Sequence, residues 1–188
     1  MAQNPTLRLF DMERLLYSPY DLACIICEHK MPVQKGAAFL KTVWQKDNTF
    51  LQECYRDDLK KLYLDVAYCS DYLCNKGAVC EEFFELNKES SVFNRLIKEN
   101  RFEKESFEKN LFFKSERLKI LYINKTKYTR LKLKTIIKKL GYERRSKILI
   151  GYINKRMIFY HMQAYLIGNE KCNIEDVDFN DMLTIRIV

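Results

Sequence analysis

Glycine and proline are scarce in this chain. There are five glycines and three prolines among 188 residues, and all three prolines fall within the first 32. So few turn-formers in a long apolar and charged chain favour helices over a turn-rich fold. No apolar run approaches the roughly 20 residues that a bilayer crossing needs. Met1 to Arg8 has no basic stretch leading into an apolar one, so no secretory signal is expected. With two histidines, no glycine-rich phosphate loop and no Gly-x-Ser-x-Gly, the chain offers little for triad or phosphate-loop chemistry. The expectation is a cytoplasmic protein with no membrane association and no cofactor. Seven cysteines, an odd number, fit free thiols in that compartment better than a disulfide framework.

Carboxylates are nearly missing from one long stretch. From Ser115 to Arg156 stand fourteen cations: Arg117, Lys119, Lys125, Lys127, Arg130, Lys132, Lys134, Lys138, Lys139, Arg144, Arg145, Lys147, Lys155 and Arg156. Only Glu116 and Glu143 oppose them. The chain as a whole is +8, so the positive charge is concentrated rather than spread. A block of this kind points to a polyanion-binding surface. The competing readings are a solvated lysine-rich face and a surface for an acidic protein partner. Tyr122, Tyr128, Tyr142 and Tyr152 lie among the cations. They would stack on bases if the ligand were single-stranded, or pack with their hydroxyls outward.

Apolar residues make up 47% of the chain, enough for a folded core. The expected fold is mainly α, with a helical region over residues 1–114 and a small, basic α+β module over 115–188. Short helices are expected over Asp11–Tyr17, Tyr20–Glu28 and Gly36–Trp44, with Pro19 dividing the first two. Asp47 or Asn48 would cap a longer helix to Tyr68, with Leu51, Cys54, Tyr55, Leu59, Leu62, Tyr63, Val66 and Ala67 in one stripe. Gly77 punctuates a further apolar stretch through Ile97. Glu99–Glu116 reads as a charged connecting helix, with a helix that docks a partner or a second copy as the alternative. Ile120 to Ile123 favours a strand, and Asn124 to Lys127 a turn.

In the basic module, Thr129 would cap a helix from Leu131 to Leu140, and Gly141 would end it in the left-handed conformation. A second helix would follow Arg144-Arg145-Ser146 and turn Ile148, Leu149, Tyr152, Ile153 and Met157 inward. Strands are expected over Ala164–Ile167 and Leu183–Val188, with a turn at Gly168-Asn169. Helix, tight turn, helix and strand pair is the order of a winged helix-turn-helix, whose second helix enters the major groove. Leu133 to Lys147, together with Phe179-Asn180-Asp181-Met182-Leu183-Thr184-Ile185, resembles a winged-helix module of some bacterial defence-associated proteins. It differs in having Leu140 where an aromatic is usual, and in lacking a proline before the wing. The resemblance implies DNA binding within a defence or counter-defence system. The contact candidates are Lys138, Lys139, Arg144, Arg145, Ser146, Lys147, Lys155 and Arg156. Arginine can read guanine or clamp a phosphate through two parallel hydrogen bonds.

Two other constellations bear chemistry. Arg156 and His161 have an Arg-x4-His spacing similar to that of HEPN ribonucleases, which pair these residues across a homodimer to cleave RNA. Here Met157 stands where that family carries a polar residue. Histidine suits proton transfer near neutral pH. Cys24, Cys27 and His29 have zinc-like spacing but sit in an apolar run, where cysteine also serves as a small core residue. The acidic residues Asp57, Asp58, Asp65, Asp71, Glu81 and Glu82 read as a solvated face. The partner expected first is nucleic acid, with duplex DNA favoured. The alternatives are an adaptor or inhibitor that binds a protein of a nucleoprotein complex, and a dimeric ribonuclease.

Overall fold

The computed structural model describes residues 12–74, 104–167 and 170–188. Contacts divide the chain into two compact units, Met1–Lys104 and Glu105–Val188. The division falls ten residues before Lys114, which lies inside a helix rather than between elements. The described residues are mainly helical, with one small antiparallel sheet near the C-terminal end. None of the described helices is long and apolar enough to cross a membrane.

The first unit holds α1 (Pro19–Glu28), α2 (Val33–Lys46), the short α3 (Glu53–Arg56) and α4 (Leu59–Cys74). Helix α1 starts where proline permits it. Pro19 occupies the first turn, and the Ser18 and Asp21 side chains each accept from the other's backbone N–H. This reciprocal cap satisfies two donors that the helix itself cannot. Tyr17 pairs with Leu51 in an isolated parallel bridge, its N–H donating to Phe50 at 2.6 Å. Leu22, Ile25, Val43, Leu51, Tyr55, Leu62 and Val66 close the core.

The single helix expected from Asp47 to Tyr68 is broken. A 3-10 turn spans Asn48–Phe50, and α3 ends before Asp57. Asp58 then accepts from the Lys61 N–H at 2.8 Å and restarts the chain as α4. Leu51, Tyr55, Leu62 and Val66 still reach the core, but Cys54 and Ala67 face out. Aspartate competes for backbone donors more effectively than an apolar stripe can hold one axis. Of the helix expected at Asp11–Tyr17, residues 12–13 are helical and 14–16 turn, while Asp11 lies outside the described residues. The stretch around Gly77 to Ile97 lies outside the described residues.

The second unit runs α5 (Lys104–Leu118), β1 (Thr129–Lys132), α6 (Leu133–Lys139), α7 (Lys147–Phe159), β2 (Met162–Tyr165) and β3 (Met182–Ile187). The sheet order is β1–β3–β2, antiparallel throughout. Thr129 pairs with Ile185, and Ala164 also pairs with Ile185 from the other side. Two expectations fail here. Ile120 to Ile123 is not a strand but part of a π-helical turn, Lys119–Ile123, that prolongs α5. It closes with Asn124 N–H donating five residues back to Lys119 at 2.7 Å. Thr129 caps no helix; Thr129–Lys132 pairs with β3 instead, and α6 begins at Leu133. β-branched residues tolerate both geometries, so the available partner decides.

Helix α6 is capped from outside. Leu133 and Lys134 donate to the carbonyls of Asp181 and Phe179, which supplies acceptors that Lys132 has no side chain to provide. At its other end Gly141 adopts φ +82°. Gly141 N–H reaches Lys138 O and Tyr142 N–H reaches Ile137 O, the paired bonds of a Schellman turn. Ser146 opens α7 by accepting from Leu149 N–H.

The two central glycines of this unit predict opposite stability effects. Gly141→Ala forces a Cβ into the left-handed region and should lose about 1 to 2 kcal/mol. Gly151 lies inside α7, and a Cβ there would meet nothing within 4 Å. Gly151→Ala should therefore gain up to about 1 kcal/mol. Urea midpoints of both variants against the parent check the signs.

Candidate nucleic-acid interface

The charge of the second unit sits on elements that have almost no acid. From Thr129 to Phe159 there are ten cations and one carboxylate, Glu143. Helices α6 and α7 contain no acidic residue. Strand β1 alternates, so Arg130 and Lys132 face outward together while Thr129 and Leu131 are half-buried. Lys134 and Lys138, one turn apart on α6, are both exposed. Arg144 lies exposed in the turn, and Lys147 and Lys155 are exposed on α7.

The eight residues singled out by sequence divide by what they touch. Lys138, Arg144, Lys147 and Lys155 are exposed, and none of them forms an ion pair among the described residues. Lys139 turns toward α5. Its Nζ lies 3.7 Å from Glu116, which Lys119 shares at 3.7 Å, and 5.7 Å from the Phe112 ring centroid. Arg145 donates to the backbone carbonyls of Val177 and Glu175, tying the turn before α7 to the short 3-10 helix Ile174–Asp176. Ser146 is the N-cap. Arg156 lies with its guanidinium 4.9 Å from the Tyr152 ring centroid, and its Nε is buried without a hydrogen-bond partner among the described residues.

Several of the cations lie over aromatic rings. Arg130 lies over Tyr128 at 5.2 Å, Lys134 over Phe179 at 5.8 Å, and Arg186 over Tyr165 at 5.1 Å. Lys109 lies over Tyr142 at 4.7 Å and donates to its hydroxyl at 2.7 Å. A ring face attracts a cation through its quadrupole but does not cancel the charge. These side chains are thus oriented while their field still reaches solvent. Arg130, Lys132 and Lys134 belong to the same exposed set. Pairing of β1 with β3 puts Arg130 and Lys132 on the outer face, which a helix starting near Leu131 does not indicate.

Helix α7 is held against α5 by paired contacts. Tyr152 donates to the buried Asn110 at 3.0 Å, and Phe113 packs against Tyr152 and Tyr160. Arg117, buried, donates from Nε to Tyr160 O at 3.0 Å, satisfying a carbonyl at the end of α7. Leu149, Ile150, Ile153 and Met157 form its buried face. Ile148, expected inward, is instead 88% exposed.

His161 lies beyond the end of α7 at φ +53° and is exposed, so Arg156 and His161 do not share one helix. Cys24 and Cys27 lie half-buried on α1 while His29 is exposed past its end. Burial, with Asp21 adding to it, pushes the Cys24 thiol from its ordinary value of 9.0 up to about 12. Among the described residues no three His, Cys, Asp or Glu side chains gather as a metal would require. Cys24, Cys27, Cys54, Cys69 and Cys172 are free thiols. No protein-family model matches this chain, and neither the curated proteins nor the solved structures searched yield a match.

Thiol reactivity follows from the burial. At pH 8 only about one Cys24 in ten thousand would be thiolate, whereas Cys54 is exposed. Peptide mapping after brief iodoacetamide treatment should find Cys54 modified at least about a hundredfold faster than Cys24.

Proposed function

We propose that the second unit is a winged-helix-like module that binds nucleic acid, duplex DNA in particular, with α7 as the helix that enters the major groove. What supports the reading is one combination. Helix α6, a glycine-ended turn and helix α7 lead into a strand pair, and exposed Arg130, Lys132, Lys134, Lys138, Arg144, Lys147 and Lys155 form no ion pair among the described residues, whereas Lys139 pairs with Glu116. Duplex recognition divides into phosphate contacts that position and base contacts that specify. Lys132, Lys134 and Lys138 suit the first task, since they precede or lie on the helix that would cross the backbone. Arg144 and Lys147 flank the start of α7, where contacts to base edges or to the phosphate beside them are made. The N-terminus of α7 adds a favourable dipole for a phosphate. Arg145 shapes the site by fixing the turn, and Ser146 fixes the first turn of the helix.

The resemblance noted from Leu133 to Lys147 and from Phe179 to Ile185 extends the proposal to a defence or counter-defence setting. The first unit has no assigned task in this reading. No specific feature of Arg156 and His161 favours the ribonuclease alternative.

Arg144→Ala combined with Lys147→Ala should raise the Kd for a duplex at least about tenfold at moderate salt, which corresponds to ~1.4 kcal/mol. Lys35→Ala with Lys41→Ala removes the same charge from exposed positions on α2 and should change affinity less than about twofold. Equal losses in both double variants, read by fluorescence anisotropy, would reject α7 as the contact helix.

A further inference from the structure

The outer face of α7 breaks three rules of an ordinary solvent-facing helix. Ile148 is 88% exposed and Ile158 is 74% exposed, although both are among the most apolar side chains. Between them Gly151 occupies a helix interior, where glycine is unfavourable, with no neighbour that would forbid a side chain. At 3.6 residues per turn, Ile148, Gly151, Lys155 and Ile158 fall within an arc of about 80° on the side opposite Leu149, Ile150, Ile153 and Met157. From Ile148 to Ile158 the stripe extends about 15 Å along the axis. Lys147 and Lys155 are exposed beside it, and the helix has no carboxylate.

Neither fold stability nor solubility accounts for this face. A lysine-rich solvated face would carry polar residues at all four positions. A packed face would have something against Gly151. The cations of β1, α6 and α7 favour a polyanion as occupant over a second copy of the chain, whose own α7 would bring like charge. In a duplex the apolar group that a major-groove helix meets is the thymine 5-methyl, which pairs by contact with aliphatic side chains.

Resting on the duplex-binding reading above, we infer that α7 selects thymine-rich duplex DNA by placing Ile148 and Ile158 against thymine methyl groups. Gly151 lets the groove edge approach the helix backbone, and Lys155 reaches a phosphate. Recognition by methyl contact discriminates by shape and hydrophobicity, so the preference is for A·T-rich tracts rather than for one fixed sequence.

The test uses the full chain and two duplexes of the same A·T-rich sequence, one containing thymine and the other deoxyuridine at each thymine position. The two have identical phosphates and identical hydrogen-bonding groups, and differ in the 5-methyl. Anisotropy titrations should show the deoxyuridine duplex bound at least threefold more weakly. Ile148→Ala with Ile158→Ala should bind both duplexes alike, near the weaker value. These positions are exposed, so the variant retains the fold. Gly151→Leu should lose affinity about tenfold while circular dichroism is unchanged. Equal binding of both duplexes by the parent chain overturns the inference and leaves duplex binding standing. A methyl preference that persists in the double isoleucine variant also overturns it, as does parent-like affinity in Gly151→Leu. Failure to bind either duplex removes the underlying reading as well. A concentration-dependent dimer that the double isoleucine variant abolishes would give the face to a second copy and overturn the inference.

Discussion

Cations without carboxylates are the constraint on which the second unit depends. Ten positive side chains between Thr129 and Phe159 have one acidic residue, Glu143, in their own stretch. A charge cannot be buried unpaired without a large desolvation penalty. Those that touch the body of the unit therefore use other partners. Arg145 takes two backbone carbonyls, Arg156 a tyrosine ring, and Lys139 the glutamate on α5 that it shares with Lys119. The remainder are held at the surface. The elements that hold them are fixed by apolar packing: Leu133, Ile136 and Ile137 under α6, and Leu149, Ile153 and Met157 under α7. Charge and fold are thus largely separable here, with the core specifying the frame and the exposed side chains specifying the field around it.

Much of this was legible in the residues. Gly141 marked the end of α6 because only a residue free of Cβ strain suits a left-handed C′ position, and the φ of +82° follows. Pro19 marked the boundary before α1, and Ser146 that before α7. Leu183 and Ile185 are buried as expected of a strand, and Thr184 between them is buried too because β3 is the central strand. The failures share a cause. Ile120–Ile123 is a short apolar run and Thr129–Lys132 a short mixed one, and neither is long enough to fix its own state. β3, more than fifty residues later, decides that Thr129–Lys132 is strand. Likewise, sequence spacing could not show that Arg145 would meet Val177 and Glu175, because the 3-10 segment that presents them has no strong local signature. Ile148 was placed inward by its apolarity alone, and the helix phase set by Leu149, Ile150, Ile153 and Met157 puts it outside.

That last misplacement is the more instructive one. Local rules and global fold usually agree in natural sequences, and positions where they disagree gather at functional surfaces. On α7 the disagreement is threefold and falls on one line: Ile148, Gly151 and Ile158. In the first unit exposed apolar side chains occur singly, Val33 at the start of α2 and Leu64 on α4. The restart after Asp57 is explained by the Asp58 cap, and the Ser18 and Asp21 side chains engage each other in the cap of α1.

In the proposed function the exposed cations of the second unit act together on the phosphates of a duplex. The dependence of affinity on salt measures this directly, because each neutralised phosphate releases a counterion. With Lys132, Lys134, Lys138, Arg144, Lys147 and Lys155 available, log Kobs for the intact chain on duplex DNA should fall against log salt with a slope of about −3 to −5. A slope near zero, or no measurable binding at low salt, would contradict the account.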